Sequence, residues 1–143
     1  MDGFEYVETL SINEKLIFVK LIVKLISGDG KISDDERAFV KVLSKQYRIS
    51  SDYSDEINRH YSEEELLAQV SVIKDRRKSL YLIKELLSVA NADEELEDRE
   101  IDFIIKVSNV LDVEDEKVAE INQLVLDRLA WIDEYRTVME FED

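Results

Sequence analysis

The feature that most narrows the fold is an internal repeat. Sliding the chain on itself by 64 residues lays Leu16–Ser50 over Leu80–Glu114 without a gap. Identical residues fall at Leu16/Leu80, Lys20/Lys84, Asp29/Asp93, Asp34/Asp98, Glu36/Glu100, Phe39/Phe103 and Ser44/Ser108. Apolar character is kept at Val19/Ile83, Ile22/Leu86, Val23/Leu87, Val40/Ile104, Leu43/Val107 and Ile49/Val113. Amphipathic helices share apolar positions by chance, but matched acids in a connecting loop are harder to obtain that way. Each unit reads as a helix, an acidic loop, a second helix and a short coda. Neither unit can close a core alone, so the two are expected to pack face to face about a pseudo-twofold axis, with the remaining helices over the seam. On this register Phe39 and Phe103 should both be core residues at equivalent places.

Proline is absent and glycine occurs only at positions 3, 28 and 30. Helix interiors exclude both residues, whereas sheets need turns that use them, so the chain should be all-α. Helix starts are marked by Ser11-Ile12-Asn13-Glu14, Ser33-Asp34-Asp35-Glu36 and Ser62-Glu63-Glu64-Glu65, each a capping box in which serine and glutamate satisfy orphan backbone N–H groups reciprocally. Helices are predicted at about 12–27, 34–47, 54–60, 63–73, 76–91, 98–111 and 115–138, with a short one at 3–9. The expected architecture is one compact helical bundle of about seven to eight helices over residues 1–143, built on the duplicated unit at 16–50 and 80–114.

Charge excludes several function classes. The 34 acids against 19 bases give a net charge of −15, which argues against a nucleic-acid partner because phosphate backbones are bound by clustered Lys and Arg. With no cysteine and one histidine, His60, thiolate metal sites, disulfides and two-histidine metal sites are excluded. Any metal would be held by oxygen, which means calcium, magnesium or manganese. The start Met1-Asp2-Gly3-Phe4-Glu5 lacks the basic and apolar character of a signal peptide. Lys20 and Lys24 interrupt the most apolar stretch, so no transmembrane segment and a cytoplasmic location are expected.

The two loops read Ser27-Gly28-Asp29-Gly30-Lys31-Ile32-Ser33-Asp34-Asp35-Glu36 and Asn91-Ala92-Asp93-Glu94-Glu95-Leu96-Glu97-Asp98-Arg99-Glu100. An ordinary EF-hand is rejected: with Gly30 at the sixth loop position, Leu25 falls where the first oxygen ligand is required. Gly28-Asp29-Gly30 also lacks the lysine and spacing of a phosphate loop. Asp29, Glu36, Asp93 and Glu100 would converge if the loops face each other, and four close carboxylates repel unless a cation or protons intervene. The bland reading stands beside this one. Glu36 is already the partner of Ser33 in a capping box, Asp29 suits a turn between two glycines, and acids in a first helical turn suit the macrodipole.

An aspartate–glycine pair ending a helix, an aliphatic residue two further on and a glutamate opening the next helix resembles the tellurite-resistance TerB-like family, which includes the N-terminal domain of a membrane-anchored DnaJ-like co-chaperone. The matching residues are Asp29, Gly30, Ile32 and Glu36, then Asp93, Leu96 and Glu100, and the resemblance spans about residues 12–115. Ser27-Gly28 replaces the usual small residue before the aspartate, and Glu94 replaces the second glycine. The resemblance implies an all-helical domain of seven or eight helices and acidic residues that chelate a metal ion. It also implies a place in bacterial stress-response or membrane-associated assemblies, including tellurite resistance.

Other candidates are simpler. Lys74, Arg76, Arg77 and Lys78 form the one basic cluster, a dock for an acidic partner or for peripheral association with anionic lipid, or else a solvated helix start. His60 has no acid or nucleophile in range and reads as a surface residue. Trp131 and Tyr135, four apart on the last helix, read either as core or as an exposed partner-binding pair. The favoured function is therefore an acidic, non-enzymatic protein-interaction module that also takes a divalent cation. The alternatives are a carboxylate-based, metal-dependent hydrolase and a structural adaptor with no ligand.

Overall fold

The computed structural model describes residues 6–28, 32–92 and 96–141. Among these residues it contains seven α-helices: α1 (Ile12–Ser27), α2 (Asp34–Gln46), α3 (Ser54–Asn58, after a 3-10 turn at Ser51–Tyr53), α4 (Glu63–Val70), α5 (Arg76–Asn91), α6 (Asp98–Val110) and α7 (Asp115–Val138). No strand is present among the described residues, and no described helix is long and apolar enough to cross a membrane. The expected helix at 3–9 falls partly outside the described residues; Tyr6 and Val7 are helical and a turn follows.

All three serine capping boxes form. The Ser11, Ser33 and Ser62 hydroxyls accept from the Glu14, Glu36 and Glu65 amides, and each glutamate accepts back from the serine amide. α2 and α6 end one residue before the predicted limits, and two helices end two or three residues early. α4 stops at Val70, not 73, where the Ser71 hydroxyl donates to the Ala68 carbonyl at 2.6 Å and competes with helix propagation. α3 stops at Asn58, not 60, because Arg59 is extended and the Tyr61 side chain turns back to donate to the Glu56 carbonyl at 2.8 Å.

The two helix pairs run in step. α1 and α5 share both ends at an offset of 64 residues, as do α2 and α6. The endings repeat as well. Arg48 and Asp112 take positive φ (56° and 57°), and the Ile49 and Val113 amides donate to the Ser44 and Ser108 carbonyls, both at 2.9 Å. These are Schellman closures, each followed by a buried aliphatic residue.

α1 and α5 lie side by side and point the same way. Near their N-termini Lys78 donates to Glu14 at 2.9 Å, and these two residues occupy the same position in the two repeats. A residue meets its own repeat equivalent only on the pseudo-twofold. One turn on, the Phe18 and Tyr81 rings stack at 6.0 Å. At the other end the Arg99 guanidinium donates to the Leu25 carbonyl at 2.8 Å. An axis running lengthwise between these helices brings both acidic loops to one end of the bundle.

Phe39 and Phe103 break the equivalence. Phe103 is 6% exposed and Phe39 is 39% exposed, so the expectation that both are core is corrected. The reason lies in the cover. α4 packs across α1 and against α6, whereas the corresponding place on α2 and α5 is a groove bordered by Tyr6, Val7 and the edge of α7. α7 packs mainly along α5 and buries only Ile121 and Val125 fully.

Candidate functional site

The loop end carries the residues singled out in the sequence. Asp29 and Asp93 lie outside the described residues. Glu36 and Glu100 line one cavity of about 840 Å³, together with Asp35, Glu97 and Arg99. The pseudo-twofold therefore brings the two repeat glutamates to a common space. Each spends one carboxylate oxygen on a helix start: Glu36 Oε1 accepts from the Ser33 amide at 2.9 Å and Glu100 Oε1 accepts from the Glu97 amide at 3.0 Å.

Arg99 was not anticipated. It holds the Leu25 carbonyl at the C-terminal end of α1 and pairs with Glu97 at 3.3 Å, so a cation of the protein's own joins the two loops. Gly28, at φ 61°, lies under it, and a Cβ there would come within 3.3 Å of the guanidinium. The signal was present in the repeat, since Arg99 stands where the first unit has Asp35.

Donor chemistry at this end fits a hard cation, since the side chains available are carboxylates. Among the described residues no group of three or more His, Asp or Glu side chains is placed to hold a metal ion. A cation bound by Glu36 and Glu100 would need ligands beyond that pair and would share the cavity with Arg99.

The opposite character appears on α7. Trp131 and Tyr135 are 62% and 42% exposed and stack at 5.2 Å, and Phe141 lies 5.8 Å from Tyr135. Leu124, Val138 and Met139 are also exposed. At 100° per residue, Leu124, Arg128, Trp131, Tyr135 and Val138 fall on one stripe of the helix. This stripe adjoins the body-facing one of Val118, Ile121, Val125, Leu129 and Ile132.

The basic cluster is partly absorbed by the fold. Arg76 pairs with Glu114 at 2.8 Å and Lys78 with Glu14. Burial alone would raise the Glu14 carboxyl, but the Ser11 amide and the Lys78 ammonium outweigh it and hold it below the ordinary carboxylate value. The hydrogen bond to Glu14 in turn holds Lys78 above the ordinary ammonium value. His60 is exposed, as expected of a surface residue.

A family model described as tellurite resistance protein TerB matches residues 15–123, well over half of the chain. No curated protein and no solved structure matches significantly.

Proposed function

Because the chain belongs to the TerB family of tellurite resistance proteins, we propose that it is a small acidic protein-interaction module acting in tellurite resistance and the associated stress response. The observation carrying this reading is the exposed, stacked Trp131–Tyr135 pair on α7. Large aromatic side chains left in water on a domain with a full core are characteristic of a binding anchor. The test is survival on tellurite of a host lacking its own copy. The wild type should restore growth, and Trp131→Ala with Tyr135→Ala should not, at equal expression and unchanged circular dichroism. Equal rescue by both would refute the anchor.

A second reading, cation binding at the loop end, rests on Glu36 and Glu100 lining one cavity. Calcium or magnesium should raise the melting temperature of the wild type, because a ligand bound only to the native state stabilises it by mass action. Asp29→Asn with Glu36→Gln should remove that increment. If the double variant responds as the wild type does, the effect is diffuse screening of the net charge of −15.

A further inference from the structure

The groove beside Phe39 has a filled counterpart elsewhere in the same fold. α4 lies over α1 and α6, and the pseudo-twofold exchanges α1 with α5 and α6 with α2. The place corresponding to α4 therefore lies over α5 and α2, where a groove of about 760 Å³ opens. Leu16, Ile17, Lys20, Leu21 and Leu25 of α1 are all buried. Their repeat equivalents Leu80, Tyr81, Lys84, Glu85 and Val89 all line the groove, and each is partly exposed. Tyr6 and Val7, and Ile121, Leu124 and Arg128 of the chain's own α7, line it as well.

The lysines show what the missing cover supplies. Lys20 pairs with Glu56 of α3 at 2.6 Å and lies 4.8 Å from the Tyr61 ring centre, and the covering helix α4 adds Gln69, which accepts from it at 3.3 Å. Lys84, its repeat equivalent, interacts with Tyr81 and Glu85 of its own helix. A helix lying here would bring an acceptor to Lys84.

We propose that this groove is a seat for a helix, and that the helix filling it is the distal half of α7 from a second copy of the chain. This names the partner of the Trp131–Tyr135 anchor and rests on that reading. The first half of α7 takes the place of α3: Ile57 and Ile121 are both buried at the repeat offset, as are Tyr61 and Val125. After Asn58 the first unit breaks at Arg59–Ser62, and α4 folds back into its seat. α7 has no such break. It runs about 36 Å as one helix without glycine or proline, so its distal half cannot bend back over its own groove. A straightened hairpin of this kind is the geometry of domain swapping.

The distal stripe also carries the required pattern. α4 buries Leu66 and Val70 and sets Gln69 against Lys20. With a slip of one residue, introduced by the non-helical turn before α4, Trp131 and Tyr135 take the places of Leu66 and Val70. Glu134 then takes the place of Gln69, opposite Lys84. Two copies exchanging these helices form a closed, isologous dimer with two identical seats. Each copy carries −15, so salt should strengthen the association by screening long-range repulsion, whereas capture of a basic partner would weaken with salt.

Sedimentation equilibrium on the full chain tests this. The wild type should be a dimer whose dissociation constant falls several-fold between low and physiological salt. Phe39→Arg, which blocks the seat, and Trp131→Ala with Tyr135→Ala, which blunts the guest, should each be monomeric. Mixed in equal amounts they should form a one-to-one complex through the single interface left intact, which also shows that neither is misfolded. Lys84→Glu and Glu134→Lys should each weaken the dimer about tenfold, and their combination, with wild-type net charge, should restore it. A wild type that stays monomeric to roughly millimolar concentration at either salt, or a dimer indifferent to Phe39→Arg, overturns the proposal. If that monomer still loses tellurite rescue on removal of Trp131 and Tyr135, the interaction reading stands and only the second copy is wrong.

Discussion

α1 and α5 have the same length, the same register and corresponding neighbours at their ends, yet they live in different surroundings. α1 is buried nearly all round because α4 crosses it, whereas α5 keeps an open flank facing Phe39. The duplicated sequence therefore dictates backbone and helix limits in both halves. Burial is decided by helices outside the duplicated stretch. A pair of identical residues such as Lys20 and Lys84 is then a built-in control, with one covered and one uncovered copy of the same local structure.

Three substitution pairs and one single substitution sharpen or break that contrast. The largest effect should come from the phenylalanines. Phe103→Ala should cost about 3–5 kcal/mol in urea unfolding, as expected for a buried aromatic, while Phe39→Ala in dilute solution should cost about 1 kcal/mol because much of its ring is already in water. Equal losses would mean that the groove is closed. Next come the guests: Leu66→Ala should cost about 2–5 kcal/mol, and Trp131→Ala less than about 0.5 kcal/mol at concentrations where the chain is monomeric.

A smaller effect is expected on the axis itself. The Glu14 carboxyl is a stronger acid in the folded chain, so its contribution is present above the ordinary pKa of 4.5 and lost as pH falls through the lower folded value. Glu14→Gln should remove that acid-side dependence, at a cost of under about 1 kcal/mol at neutral pH. An unchanged acid limb of the stability–pH curve would contradict the hold of the Ser11 amide and the Lys78 ammonium on Glu14. Smallest are the two helix ends. Arg48 and Asp112 hold the same left-handed turn, so glycine at either should raise stability by about 0.5–1 kcal/mol. The gain should be smaller at Asp112, since aspartate tolerates that conformation better than arginine.

The helix limits were legible because their signals are local. Serine–glutamate boxes fix the starts of α1, α2 and α4, and the repeat carries the limits of α1 and α2 over to α5 and α6. The burial of Phe39 was not legible, because it depends on whether a helix far along the chain folds back, and a shift of 64 residues contains no information about the turn at Arg59–Ser62. That Glu36 and Glu100 line one cavity follows from duplication together with acidic loops, while Arg99 needed the comparison with Asp35 across repeats. The exposure of Trp131 and Tyr135 was open in the sequence because α7 carries two adjacent apolar stripes. Helical spacing alone does not say which stripe meets the body.

Trp131 is the only tryptophan, and its fluorescence tests the central claim, that the uncovered half of the molecule is covered by a second copy. In dilute, low-salt solution its emission should be that of a hydrated indole, readily quenched by acrylamide. As concentration and salt rise, the emission should shift to the blue and quenching should fall, while the Phe39→Arg variant stays hydrated throughout. Quenching that is the same at every concentration and in both proteins would leave the groove open and contradict the account.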